Sequence, residues 1–354
     1  MIDSLKPVHA ALGGLSAQVV HIAGSKGKGS TTLLLARLLQ NAGFKIGVFT
    51  SPAVLEECEM IQINGEAISS ETLGVLRGKV LALDSTLSEF EVLTLAAFAY
   101  FEQEACTHVV VECGWGGARD ATNVLQQKAL TILTHIELEH VGVLGDNLEE
   151  ITREKCGITR HGVPLLTVAS QNLPVLEEIK RLGLKPVLAP SMEAGLHHPE
   201  SVGLAWTAAQ MLGLNPSADD LLRLAEVQIP GRFERVLWQR HTLILDGAHT
   251  YDSVKYVRDK AQAYAVEHDL PEPFWALHFL KDKHVDLPSL FPFHRSIWIP
   301  LEDERAGEKP EGFEELGLNV FLEKLKGESP QFIVFVGSFK LVGAVKKKLL
   351  HPGL

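Results

Sequence analysis

The chain has 354 residues, 46% of them hydrophobic, and a formal net charge of −11. That length suggests two domains with apolar mass for a core in each, while the acidic balance and the lack of a basic stripe argue against a nucleic-acid surface. Apolar runs at 109–111, 130–133 and 332–336 are too short to span a bilayer, the opening MIDSLKPVHAALGG has no export-signal pattern, and Cys58, Cys106, Cys113 and Cys156 lack metal or disulfide spacing, so a reduced cytoplasmic setting is expected.

Gln18, Val19 and Val20 lead into HIAGSKGKGS at 21–30, and a helical spacing of Leu and Ala follows over 30–41 until Gly43. Strand, glycine turn and helix start in that order build a phosphate cradle, because backbone N–H groups converge where the helix N-terminus favours negative charge. Lys28 is then placed to reach terminal phosphates and Ser30 a magnesium ion. Gly29 separates these two residues, a departure from the generic phosphate-loop spacing, and a plain tight connection is the other reading.

Residues 45–50 (KIGVFT) read as the next buried strand, with Ser51 and Pro52 at its carboxyl end; 61–65 reads as a small hairpin and 89–104 as an amphipathic helix. Three valines then run into Glu112, and an unpaired carboxylate there would cost several kcal/mol. A salt bridge is one solution; its place at a strand end before a glycine-rich loop favours a metal. Residues 130–134 form a further strand. His135 and His140 have no diagnostic metal spacing, Asp146 with Glu149 can cap the following helix, and Lys155 near its end is by default a solvent-facing cation.

Strands at 162–168 and 185–188 flank a helix at 173–182, and helices follow at 201–212 and 217–227, the latter capped by Ser217. QIPGRF at 228–233 breaks the pattern, which places a domain boundary there and divides 1–228 from 229–354. Strands at 242–245, 274–279 and 332–336 end in DGAHT, LKDKH and GS. The basic run Lys346, Lys347 and Lys348 reads as the solvated end of a terminal helix. Strands alternating with helices define an α/β class with parallel sheets covered on both faces and ligands at the carboxyl edges.

Ten blocks stand in order along the chain: HIAGSKGKGST, FTSP, INGEAIS, FEVLTLAAF, ECGWGGARDATNV, LGDNLEEITREKCGI, PGRFERV, LDGAHT, LKDKH and VGSFKLVGAVK. Together they resemble the folylpolyglutamate synthase and dihydrofolate synthase branch of the Mur ligases, ATP-dependent enzymes that form amide bonds. The resemblance implies an N-terminal ATPase domain of P-loop type with a parallel sheet, and a smaller C-terminal Rossmann-like α/β domain that closes over the nucleotide and carries the glutamate-ligase function. It implies ATP contacts from Gly24, Ser25, Lys26, Gly27, Lys28, Gly29, Ser30 and Thr31, and from Arg232 and Asp246. Metal contacts fall on Ser30, Ser51, Glu112 and His140, for two magnesium ions. Catalytic roles fall on Lys28, Lys155, Asp246 and His249, with Lys155 matching a lysine that family members carry as a carbamate.

The implied substrates are a folate or pteroate, L-glutamate and ATP, acting on a monomer without nucleic acid or membrane. Ala53, Met60, Glu139, His198 and Ser201 stand where the family commonly has other residues. A related ligase with another acceptor, and a nucleotide-binding protein that has lost ligation, are the alternatives.

Overall fold

The computed structural model describes residues 2–283 and 285–350; His284, last in the LKDKH block, lies outside them. The chain forms two compact units that divide between Val227 and Gln228.

The N-terminal unit runs α1 (Ile2–Ala11), β1 (Gln18–Ala23), α2 (Lys28–Asn41), β2 (Ile46–Phe49), β3 (Ile61–Ile63), β4 (Glu66–Ala67), α3 (Ser70–Leu83) and α4 (Glu89–Gln103). It continues with β5 (His108–Glu112), β6 (Leu130–Leu133), α5 (Leu148–Cys156), β7 (Leu165–Val168), α6 (Leu173–Arg181), β8 (Val187–Ala189), α7 (Pro199–Met211) and α8 (Ala218–Ala225). Eight strands pair in the order β4-β3-β2-β5-β1-β6-β7-β8. The six from β2 to β8 are parallel, and β3 and β4 add an antiparallel hairpin at one edge. β1 is buried after Gln18 and β5 throughout, as strands covered on both faces require. Because the chain passes from one side of β1 to the other between β5 and β6, the loop after β1 sits where an α/β sheet opens a ligand crevice.

Local signals explain most helix starts. Ser88 with Glu91, and Ser217 with Asp220, form capping boxes for α4 and α8. The cap of α5 lies one residue later than the sequence suggests. Asn147 accepts from the Glu150 N–H at 2.9 Å, and Glu150 Oε2 accepts from the Asp146 backbone N–H at 2.8 Å. Glu150 therefore takes the role expected of Glu149, and Asp146 contributes backbone.

The C-terminal unit runs β9 (Glu234–Trp238), β10 (His241–Asp246), α9 (Tyr251–Glu267), β11 (Phe274–Leu277), α10 (Leu287–Leu290), β12 (Ser296–Trp298), β13 (Glu314–Glu315), α11 (Leu318–Lys326), β14 (Phe332–Val336) and α12 (Phe339–Leu350). Its strands pair in the order β13-β12-β11-β14-β10-β9, parallel except for β9 against β10. In the lysine run of α12, Lys346 corrects the solvated reading: it pairs with Glu234 at 2.7 Å, both side chains being mostly buried. Among the described residues no helix is long and apolar enough to cross a membrane.

Candidate active site

The loop after β1 is built on a close approach. A Cβ on Gly24 would fall 1.9 Å from Thr134 Oγ1, and Gly24 holds φ +145°, so only glycine fits there. The loop is laced to the segment after β6: Ser25 N–H donates to His135 O at 2.9 Å, Glu137 N–H to Ser25 Oγ at 3.0 Å, and Lys26 pairs with Glu137 at 2.6 Å. Gly27 caps α2 without a side-chain hydrogen bond, which leaves the first turn to a ligand of negative charge. Lys28 Nζ donates to Gly24 O at 3.1 Å and Ser25 O at 3.3 Å, curled over its own loop. Ser30 and Thr31 are buried just inside the helix. Ser201 of α7, also buried, packs close to Gly27.

Glu112 ends β5 with 4% of its surface exposed. Its Oε2 accepts from the Ser51 N–H at 3.2 Å and would lie 3.1 Å from a Cβ on Gly29. Ser51, Gly29 and Glu112 thus meet where the carboxyl ends of β2 and β5 reach the loop. Among the described residues no three His, Cys, Asp or Glu side chains converge as a metal cage. The Glu112 carboxylate and the Ser30 and Ser51 hydroxyls are hard oxygen donors, a chemistry that fits magnesium, which takes few protein ligands and completes its shell with phosphates and water.

Lys155 departs from its default reading as a surface cation. It is 1% exposed, and Nζ donates to Gly24 O at 2.9 Å and to Glu139 Oε1 at 2.8 Å. Burial lowers its pKa, opposed by Glu139; in turn Lys155 and Lys28 outweigh burial to hold the Glu139 carboxyl below its ordinary value. Both neighbours of Nζ are acceptors, so they fit an ammonium. Next along the chain, His140 is exposed with φ +50°, its ring 6.3 Å from that of Trp115.

Beneath these groups His21 Nε2 lies 2.8 Å from Thr122 Oγ1 and 3.1 Å from Cys113 Sγ. Asp120 accepts from the Thr122 hydroxyl and from the Trp115 N–H at 2.7 Å, tying down the segment after Glu112. Burial keeps His21 neutral and pushes the Cys113 thiol up, so this cysteine is inert. Met60 is a core residue and Ala53 packs against the same core, so both positions are apolar fill.

In the C-terminal unit, Asp246 ends β10 and is buried. It accepts from Phe233 N–H at 2.6 Å and Ala248 N–H at 2.7 Å; burial raises its pKa against the pull of Arg232. Arg232 is exposed on the turn between Gly231 at φ +63° and Phe233 at φ +47°. Its Cζ lies 4.2 Å above the centre of the Phe339 ring. His249 Nδ1 is 2.8 Å from Gly247 O, which fixes the proton on that nitrogen. The structure therefore gathers Lys28 and Lys155 on the Gly24 carbonyl, groups Gly29 and Ser51 around Glu112, and sets Arg232 near Asp246 in the second unit. Sequence reasoning did not find Thr134, Glu137 or Phe339. Only tertiary packing brings them to the sites, and nothing in their local pattern marks them.

A glycine loop at a helix N-terminus, with two ammonium groups on one carbonyl and a buried carboxylate beside it, defines a nucleotide-using α/β enzyme. No family model matches the chain. The dihydrofolate synthase/folylpolyglutamate synthase of Bacillus subtilis is 30% identical, over 98% of this chain and 94% of that protein. The dihydrofolate synthetase of Saccharomyces cerevisiae is 33% identical over 69% and 68%. Among solved structures, FolC of E. coli in complex with ADP superposes with a TM-score of 0.85 at 23% identity, over 99% of this chain and 94% of that one. The bifunctional enzyme of Yersinia pestis, complexed with AMPPNP and a manganese ion, gives 0.83 at 25% identity over 99% and 93%. The chain belongs to the dihydrofolate synthase/folylpolyglutamate synthase family of ATP-dependent ligases.

Proposed function

We propose that the protein joins L-glutamate to a folate, and also to dihydropteroate, at the expense of ATP. What carries this reading is the full-length relationship to the B. subtilis dihydrofolate synthase/folylpolyglutamate synthase, together with the phosphate-binding form of the loop after β1. Residues 1–228 serve as the ATP-binding domain and 229–354 as the glutamate-ligase domain of a cytoplasmic enzyme.

Amide formation from a carboxylate and an amine in water is uphill, so the carboxylate is first activated. It takes the γ-phosphoryl group of ATP, releasing ADP and forming an acyl phosphate. The glutamate amine then attacks the acyl carbon, loses a proton and expels inorganic phosphate. Such transfers depend on positioning and charge neutralisation more than on covalent help. The α2 N-terminus with Gly27, Gly29, Ser30 and Thr31 cradles the phosphates, and Lys28 swings from its own loop carbonyls to the γ-phosphate. Lys155 pins Gly24 O and so keeps the loop shaped, with Glu139 compensating its buried charge. Ser30, Ser51, Glu112 and His140 would hold magnesium, which when bound would neutralise phosphate charge. Arg232 adds positive charge at the phosphates, Asp246 fixes the turn that carries it, and His249 orders the DGAHT segment.

Purified protein with ATP, magnesium, L-glutamate and either tetrahydrofolate or dihydropteroate should release phosphate and yield the glutamylated product. Release independent of glutamate, or with no folate or pteroate at all, would defeat the reading.

A further inference from the structure

We infer that Phe339 is the positioning residue for Arg232: its ring is the platform that holds the guanidinium flat and ready for phosphate. This deepens the reading above and rests on Arg232 acting at the nucleotide. The turn bearing Arg232 is fixed at every backbone point around it. Glu234 accepts from Gly231 N–H at 2.8 Å, Asp246 from Phe233 N–H, and Gly231 O from Gly247 N–H at 2.9 Å. The long side chain of an exposed arginine is not fixed by such contacts, and its rotamer freedom must be lost before it can grip an anion.

The Phe339 ring removes that freedom from one face. It lies 4.2 Å from Cζ, within the range of a cation–π contact, while Nη1 of the same guanidinium donates to Gly231 O at 3.4 Å. The ring itself is wedged in place: a Cβ on Gly231 would fall 2.7 Å from it, and one on Gly247 2.8 Å. Those two glycines stand beside Arg232 and Asp246 in the chain. At the base of the platform, the buried Ser338 accepts from Leu341 N–H at 3.1 Å and starts α12.

The test uses the full chain with ATP varied against saturating folate and glutamate, in Phe339→Leu, Phe339→Tyr, Arg232→Ala and the Phe339→Leu/Arg232→Ala double variant. Leucine keeps apolar bulk without a π face. Phe339→Leu is expected to lower kcat/KM for ATP about twofold to fivefold, the range of an exposed cation–π contact. KM for glutamate and Tm should stay put, Phe339→Tyr should restore the loss, and Phe339→Leu should add nothing once Arg232 is alanine. An equal loss in both backgrounds, or a loss that tracks a lower Tm, would make the ring mere packing. If Arg232→Ala weakens ATP use and Phe339→Leu does not, the platform idea alone fails. If Arg232→Ala changes nothing, the assignment of Arg232 fails and takes the platform with it.

Discussion

Replacing Gly24 by alanine tests the loop at its tightest point. The new methyl would stand 1.9 Å from Thr134 Oγ1, about 1.5 Å short of ordinary contact, and 3.0 Å from both Thr134 Cβ and the Thr134 backbone nitrogen. Thr134 cannot retreat easily, because its N–H is bonded to Ala23 O at 2.9 Å and its carbonyl accepts from Gln171 at 3.1 Å. Overpacking of this kind costs about 1–3 kcal/mol, and a non-glycine residue in a disfavoured backbone region a further 1–3 kcal/mol or so. The loop therefore shifts, and Gly24 O moves away from the two ammonium groups that share it. Even about 2 kcal/mol taken from nucleotide binding is roughly a 30-fold rise in Kd. Titration calorimetry with ATP analogues and phosphate-release assays should show that loss. Thr134→Ala added to Gly24→Ala should recover part of it, since the displaced hydroxyl has no hydrogen-bond partner of its own. A Gly24→Ala protein that binds ATP within twofold of wild type, or a second substitution that recovers nothing, would refute the reasoning.

Glu112→Gln keeps the size of the side chain and removes its charge; magnesium-dependent turnover should fall at least about tenfold, with little change in Tm. Retention of turnover would remove Glu112 from the metal site. Hydrogen bonds from Arg181, and then from Arg153, hold the Glu178 carboxyl down to about 2 from 4.5. Since the folded-state value is the lower one, the stabilisation is full above about pH 4.5 and disappears as pH falls toward 2. Thermal unfolding of Glu178→Gln should therefore lie below wild type at neutral pH and converge with it in acid; a constant gap would contradict this. Asn147→Ala should cost about 1 kcal/mol as a lost helix cap, whereas Asp146→Ala should be nearly neutral in denaturant unfolding. The reverse order would return the cap to Asp146.

Much of this fold is written locally. Glycine, lysine and serine after a β-branched run mark the turn and helix start at 24–30, and alternating short strands and helices mark a parallel α/β sheet. Such signals concern neighbours a few residues apart, where backbone sterics and hydrophobic period act without help. β9 escaped because it is an edge strand half open to solvent, with Leu237 exposed, so its apolar pattern is diluted. The α5 cap was misplaced by one residue because Asp and Asn, and two adjacent glutamates, are equivalent by pattern alone.

The sequence by itself settled which residue types stand at the strand ends, because those ends are fixed by local chemistry. Tertiary structure alone decided what each of them meets. Lys155 becomes a buried ammonium because β1 and the segment after β6 bring Gly24 and Glu139 to it from 131 and 16 residues away. Arg232 gains its platform only when α12 sets Phe339 between two glycines. Contacts of that range carry no periodicity along the chain; they exist only once packing has closed the loops between them.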